Sequence, residues 1–206
     1  MTTAQEYLSK NRLISYYNQA RIIRSLGRQV KDILEIGTYN SLFSEILARY
    51  GYNVTTADFD ASLKPDLILD LTSDFQIPQQ TFDAIVIFQV LEHISYDKFE
   101  VALEKIAQST KKFVVISLPY NTEYLSLQLH FSFNKRPRSL LLQIPKFWSE
   151  KPVTPDEHCW EIGLKGYPKK RITNSITNAG LNIIREHQDA LHPYHYFFVL
   201  ESKSNK

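Results

Sequence analysis

Several things are scarce in this 206-residue chain. Its single cysteine, Cys159, excludes an intramolecular disulfide framework and any cysteine-only metal or iron–sulfur cluster within one chain. A buried or bystander thiol is the default reading of that residue. Neither sign of charge dominates: a net charge of +2 with 22% charged residues leaves no global field of the kind non-specific nucleic-acid binding exploits, so any partner is recognised locally. No apolar run exceeds strand length, and the opening MTTAQEYLSKNRLISYY has no continuous apolar stretch. Neither a transmembrane helix nor a secretory signal is therefore expected, and the chain reads as cytoplasmic. There are no repeats or low-complexity tracts. At 43% hydrophobic content the chain can bury one substantial core, so a single domain over residues 1–206 is expected.

What is present is an alternation of short apolar runs with helical patterns, which indicates βαβ units around a parallel sheet. Leu13, Tyr16, Tyr17, Ala20 and Ile23 predict an amphipathic helix over 13–26, stopped by Gly27. Strands are predicted at 32–36, 53–57, 67–69, 82–88 and 112–118, the fifth stopped by Pro119. Between the first two, Leu42, Phe43, Ile46, Leu47 and Tyr50 make one helical face, with Asn40 or Ser41 as N-cap and Gly51 past the end. Phe99, Ala102, Leu103, Ile106 and Ala107 give another helix. The pattern breaks down over 120–168 and then resumes with a helix carrying Ile172, Ile176 and Ala179. LNIIREH and HYFFVLES close the chain as two strands near enough to pair antiparallel.

The turn after the first strand, in ILEIGTYNSL (Ile33–Leu42), sits where an α/β domain holds a nucleotide-like ligand, yet it has one glycine, Gly37. A dinucleotide fingerprint needs glycines at three places so that backbone can approach a pyrophosphate at the helix N-terminus. Here Tyr39 and Asn40 or Ser41 occupy the later positions. A mononucleotide P-loop needs a lysine followed by Ser or Thr, and the stretch has no lysine. S-adenosylmethionine carries no phosphate, only an amino-acid end, a sulfonium, a ribose and an adenine. For that ligand one glycine suffices.

Here the sequence resembles the class I S-adenosylmethionine-dependent methyltransferases. EIGTYNS matches their first motif in Glu35 and Gly37, while Tyr39 and Ser41 replace its second and third glycines. Asp58, in VTTADFD, ends the second strand where the family places a carboxylate for the ribose hydroxyls, and Asp70, in LILDL, ends the third near the expected adenine. TFDAIVIFQVLEHI resembles the fourth strand and following turn, which puts Gln89 beside the sulfonium and methionine part. The resemblance spans 32–119, and more loosely 170–202. It implies a Rossmann-like fold: a seven-stranded, mostly parallel sheet with the last strand antiparallel, helices on both faces, and a substrate lid inserted after the fifth strand. It also implies that the N-terminal segment 1–27 covers the cofactor, so that Tyr17 or its neighbour Tyr16 contacts it. The alternative for Glu35 and Asp58 is a solvated or capping carboxylate. Between the second and third strands SLKPD carries the chain across without the usual helix.

The 120–168 insertion mixes aromatics with Lys135, Arg136, Arg138 and Lys146. Phe, Trp and Leu at this density argue against disorder and for packing as a lid. The basic cluster suits a solvated face, an acidic small molecule, or nucleic-acid phosphates. In EHCWEIG the His-X-X-Glu spacing places His158 and Glu161 on one side of a turn. No metal site is expected, because the local sequence supplies no third ligand. His158 is the stronger candidate for a catalytic base, since it lies in the variable insertion; its alternative role is to hydrogen-bond Glu161 and hold the lid. His93, the other candidate, belongs to a turn common in the family and reads more naturally as a hydrogen-bonding group. The expected activity is methyl transfer to a small molecule by in-line displacement. Two alternatives remain: an RNA or other macromolecular methyltransferase using the basic lid, although SLPY stands where amino-methylating nucleic-acid enzymes carry Asn/Asp-Pro-Pro-aromatic, and a non-catalytic cofactor-binding protein. The acceptor and the oligomeric state are not legible.

Overall fold

AIVIF at 84–88 and FVVISLP at 113–119 are rich in β-branched and aromatic residues without polar alternation, which is the pattern of strands covered on both faces. The computed structural model, which describes residues 9–133 and 137–203, puts these two strands at the centre of the main sheet. Its helices are α1 (Lys10–Arg24), α2 (Leu42–Arg49), α3 (Tyr96–Ser109) and α4 (Lys169–Asn178). The strands are β1 (Asp32–Ile36), β2 (Asn53–Asp58), β3 (Leu67–Ile68), β4 (Ala84–Phe88), β5 (Phe113–Pro119), β6 (Thr122–Leu129), β7 (Arg138–Pro145), β8 (Leu181–Asp189) and β9 (His192–Ser202).

Seven strands form one sheet in the order β3-β2-β1-β4-β5-β9-β8. β1 through β5 are mutually parallel where they pair, and β9 runs antiparallel to both β5 and β8. The expected seven-stranded, mostly parallel, Rossmann-like sheet is therefore present, with its last strand reversed. Side chains alternate along each strand, so the sheet has two cores. Ile33, Ala84, Val86, Val115 and Phe197 pack against Tyr16, Ile23, Phe43 and Leu47 of α1 and α2. Leu34, Ile85, Ile87, Val114 and Phe198 pack against Phe99, Leu103, Ile106, Ile172 and Ile176 of α3 and α4, with Trp160 joining this layer. No helix among the described residues is long and apolar enough to cross a membrane.

Two elements depart from the sequence-based reading. The predicted stripe on α1 is rotated: Leu13 and Tyr17 face solvent, while Ser15, Asn18 and Gln19 are buried with Tyr16, Ile22 and Ile23. Polar groups can be buried there because each has a partner: the Ser15 hydroxyl meets His195 Nδ1 at 2.7 Å, and Asn18 donates to Asp189 at 2.8 Å. Within the 120–168 insertion, β6 and β7 form a separate two-stranded ribbon, while Trp160 and Ile162 return to the core. Lys135 and Arg136 of the basic cluster lie outside the described residues. A short 3₁₀ turn at Ala61–Leu63 carries SLKPD across to β3.

Candidate active site

The strand order reverses between β1 and β4, and a crevice opens there beyond their carboxyl ends, where open α/β sheets hold ligands. A cavity of about 960 Å³ occupies this position. Gly37, directly after β1, sits at φ +86°, and a Cβ on it would stand 2.2 Å from Val90 Cγ2. Backbone must pass there with no side chain. Two residues further on, Tyr39 has φ +40°, and Ser41, at the N-cap of α2, has φ +56°. These are the positions where the family motif carries its second and third glycines. The turn has kept the left-handed conformation and lost the residue that adopts it without strain. Gln89, after β4, is also left-handed at φ +55° and donates to the Ser117 hydroxyl at 3.1 Å. Such strain concentrates at ligand sites.

Glu35, Gly37, Asp58, Asp70 and Gln89 all line this cavity. Asp58 is nearly buried, and its two oxygens accept from the Thr38 amide at 2.9 Å and the Asp60 amide at 3.1 Å. It therefore ties the first turn to the end of β2 while lone pairs remain for a ligand. Asp70 is held below the usual carboxylate range by the Thr72 hydroxyl and amide. Glu35 is buried with Oε2 unpartnered, and burial pushes its carboxyl up to about 8, only partly offset by Ser44. Tyr17 is corrected: at 64% exposure it lies outside the cavity, stacked under Arg21, and Tyr16 lines it instead. One residue along a helix turns a side chain by roughly 100°.

The other half of the cavity is built by the return segment of the insertion with the turn after β4. Val153, Thr154, Glu157 and His158 line it beside His93, Tyr194 and His195. His158 Nδ1 donates to Glu161 at 2.7 Å, leaving Nε2 as the acceptor. Glu161 has no exposure, and burial alone would raise its carboxyl. Hydrogen bonds from His158, Tyr194 and the Val153 amide reverse that and hold it low, and Asn121 donates to its second oxygen. His93 Nδ1 donates to the Glu157 carbonyl at 2.9 Å, and burial first of all lowers its titration. The rings of His93 and His158 meet edge-on at 4.8 Å.

Glu92 is the group that sequence reading missed. It has no exposure and neither carboxylate oxygen has a partner; burial, with the Glu161 charge adding, pushes it up to about 8. Its Oε1 lies 4.0 Å from His158 Nε2, and Glu92, His93 and His158 offer ligand atoms within 4.8 Å of one another. EHCWEIG thus supplies one of these three groups, His158, and the turn after β4 supplies the other two; Glu161 is not among them. The only sequence signal for Glu92 was its presence inside VLEHI.

Fold and crevice define an α/β protein with a nucleotide-like ligand site at its switch point, and comparisons with known proteins name the class. A family model described as a methyltransferase domain matches residues 7–186. The chain belongs to that family, the class I S-adenosylmethionine-dependent methyltransferases, and is an enzyme of this type. A comparison with curated protein sequences found no match. Among solved structures, an S-adenosylmethionine-dependent methyltransferase from Clostridium acetobutylicum is 11% identical with a TM-score of 0.62, covering 97% of each chain. The magnesium protoporphyrin IX methyltransferase of Synechocystis, with its cofactor bound, is 11% identical at a TM-score of 0.63, over 98% of this chain and 85% of that one. The N-methyltransferase NodS from Bradyrhizobium japonicum, with S-adenosylhomocysteine, is 14% identical at 0.61, over 97% and 91%. At such identities these likenesses show the fold.

Two predictions follow from this geometry. Tyr39→Gly is expected to leave cofactor affinity within about tenfold and thermal stability unchanged or raised, because relief of left-handed strain of about 1 kcal/mol offsets the added chain entropy. Gly37→Ala, by contrast, should destabilise by about 2 kcal/mol or more, read by chemical unfolding. For pH, Glu35 and Glu92 both titrate above their unfolded-state values. Their stabilising contribution is therefore complete below about 4.5 and lost as pH rises through about 8. His93, His187, His192 and His195, lowered by burial, act in the opposite sense as pH falls, so the test is the difference: Glu92→Gln should lose less stability than wild type between pH 5 and pH 8.5. An unchanged slope in Glu92→Gln would show that its carboxyl is not the titrating group.

Proposed function

We propose that the protein transfers the methyl group of S-adenosylmethionine to a small-molecule acceptor by in-line displacement, with His158 receiving the acceptor's proton. The observation that carries this reading is one cavity with two chemically distinct halves. At the β1–β2–β3 end, Glu35 faces the cofactor's ammonium, Asp58 its ribose hydroxyls and Asp70 its adenine, with Gln89 beside the methionine part. An unpartnered buried carboxylate such as Glu35 gains most from a cation arriving next to it. At the other end stand His158, His93 and Glu157, with Glu92 behind them.

About 960 Å³ lies at the upper end of the 300–1,000 Å³ typical of ligand pockets, enough for a cofactor and a compact acceptor. The Glu161 anion and the Glu157 side chain on this wall oppose the phosphates of a nucleic acid and favour a neutral or cationic acceptor. Because the cofactor's methyl is already activated, the protein's contribution is alignment, exclusion of water and removal of one proton. Glu161 fixes the His158 tautomer so that Nε2 is the basic nitrogen, the role a carboxylate plays toward histidine in hydrolytic triads. The return segment 149–168 is the part of the insertion that acts as the substrate wall.

A divalent cation held by Glu92, His93 and His158 is the competing arrangement, favoured by their proximity. It would occupy the Nε2 lone pair that proton transfer requires, so the two readings separate by experiment. Calorimetry with S-adenosylhomocysteine should show binding that Asp58→Ala weakens by roughly 10- to 100-fold and more than Asp70→Ala does. No binding at millimolar ligand overturns the cofactor assignment. With methyl-labelled cofactor and cell extract, label should enter the small-molecule fraction rather than RNA or protein. His158→Ala should fold, bind cofactor and lose roughly 10²- to 10⁴-fold in turnover, with added Zn²⁺ inhibiting the wild type. Turnover abolished by a chelator and restored by metal would overturn the base role.

A further inference from the structure

The β6–β7 ribbon is amphipathic the wrong way round. Cross-strand pairing places Glu123, Leu125, Leu127 and Leu129 of β6 on one face with Ile144, Leu142, Leu140 and Arg138 of β7. The six aliphatic side chains of this face are each between 46% and 63% exposed. The opposite face carries Thr122, Tyr124, Ser126 and Gln128 with Ser139, Leu141, Gln143 and Pro145; all of these but Tyr124 and Ser139 are partly buried. Ser126 donates to the Ala190 carbonyl in the β8–β9 turn, and Gln143 donates to Thr122 at 3.0 Å. This mixed side therefore leans on the chain's own body, and the side with the six exposed aliphatics points away from it. A two-stranded ribbon is marginal in water unless a face is covered, and exposed apolar patches of this size mark interaction sites.

We propose that the outward face of this ribbon is an interface with a second copy of the same chain, the two ribbons packing face to face about a two-fold axis. The exposed aliphatics run the whole length of the ribbon, about 27 Å for eight residues, from Ile144 and Leu125 near the base to Leu129 and Leu140. That is the regular row pattern a facing sheet interdigitates with at about 10 Å. Six half-exposed aliphatics on each copy, with their surroundings, are on the order of the 800 Å² per partner that stable association uses. The polar members of the face also favour a copy. Glu123, bridged to Lys146 at 3.0 Å and still 66% exposed, stands at the base corner, and Arg138 stands at the diagonally opposite corner. Antiparallel two-fold packing brings the Glu123 corner of each ribbon to the Arg138 corner of the other, and both contacts are made at once. An anionic membrane would instead meet Glu123 as a repulsive group within the patch.

Sedimentation velocity of the full chain at 1 to 100 µM tests this. Wild type is expected at twice the chain mass. Leu127→Glu combined with Leu142→Glu should weaken association at least 100-fold while S-adenosylhomocysteine affinity, read by calorimetry, stays within twofold, which also shows that the variant folds. Glu123→Arg and Arg138→Glu should each weaken association by about tenfold or more, and the double swap should recover most of it. A wild type that is monomeric at 100 µM, or a Leu127→Glu/Leu142→Glu variant that still dimerises, overturns the proposal. So does wild-type monomer that co-sediments with phosphatidylcholine–phosphatidylserine vesicles through the same leucines, which would assign the face to lipid.

Discussion

The approach of β1 to β4 at Gly37 is the constraint on which the rest of this protein depends. The Gly37 Cα passes so near Val90 that a single added carbon would overlap it, and that proximity holds the end of the first strand against the turn after the fourth. From this point the chain diverges in two directions. One leads through Tyr39 and Ser41 into α2, and the other through Gln89 and Val90 into the Glu92–His93 turn. The Asp58 end and the His158 end of the cavity are thus the two banks of one crevice. Three residues in left-handed backbone, none of them glycine, lie on those banks at Tyr39, Ser41 and Gln89. Their strain is tolerated because sheet pairing on both sides overdetermines where the turns must go.

Of the four buried carboxylates around this crevice, Glu35, Glu92 and Glu161 show how one functional group takes different states. Glu161 receives four hydrogen bonds and is an anion whose job is to hold its neighbours. Glu35 and Glu92 have no such set of donors, and burial drives them toward the neutral acid. A neutral buried acid becomes an anion when a cation arrives, so a cation bound beside Glu35 would release a proton from it. Glu92, next to a histidine rather than to solvent, keeps charge out of the acceptor wall while leaving His158 Nε2 unoccupied.

Much of this was legible in the chain itself. The five parallel strands were readable because each is an unbroken apolar run or ends at a carboxylate or proline, and β1 at 32–36 coincides with its prediction residue for residue. Glu35, Gly37, Asp58, Asp70 and Gln89 were readable as a set because strand ends in a parallel sheet converge, so spacing along the chain translates into proximity. The stripe of α1 was misread because burial there is decided by partners, Ser15 with His195 and Asn18 with Asp189, that lie some 170 to 180 residues away. Glu92 escaped for the same reason: nothing local distinguishes a buried turn carboxylate from an exposed one. Tyr194 and His195 were findable in principle. They open an antiparallel strand whose start pairs with the carboxyl end of β5, the ligand side of the sheet. The strands of the ribbon were legible in the alternation of Leu125, Leu127 and Leu129 and were passed over as irregular; that the face they form looks outward is shown only by the fold.

Asn121 links that ribbon to the site. It lies two residues past the end of β5, its side chain donates to Glu161 at 2.8 Å, and its carbonyl accepts from the Lys146 amide at 3.2 Å where β7 ends. The two ends of the ribbon are therefore closed on the same residue that holds the carboxylate behind His158. Ile162 accepts from the Asn121 amide at 2.8 Å, which adds the return segment to the same joint. A displacement of the ribbon base cannot be absorbed by a flexible linker, since only Tyr120 separates β5 from Asn121 and Asn121 is itself buried. Whatever fixes the ribbon also fixes the position of Glu161, and with it the orientation of the His158 imidazole.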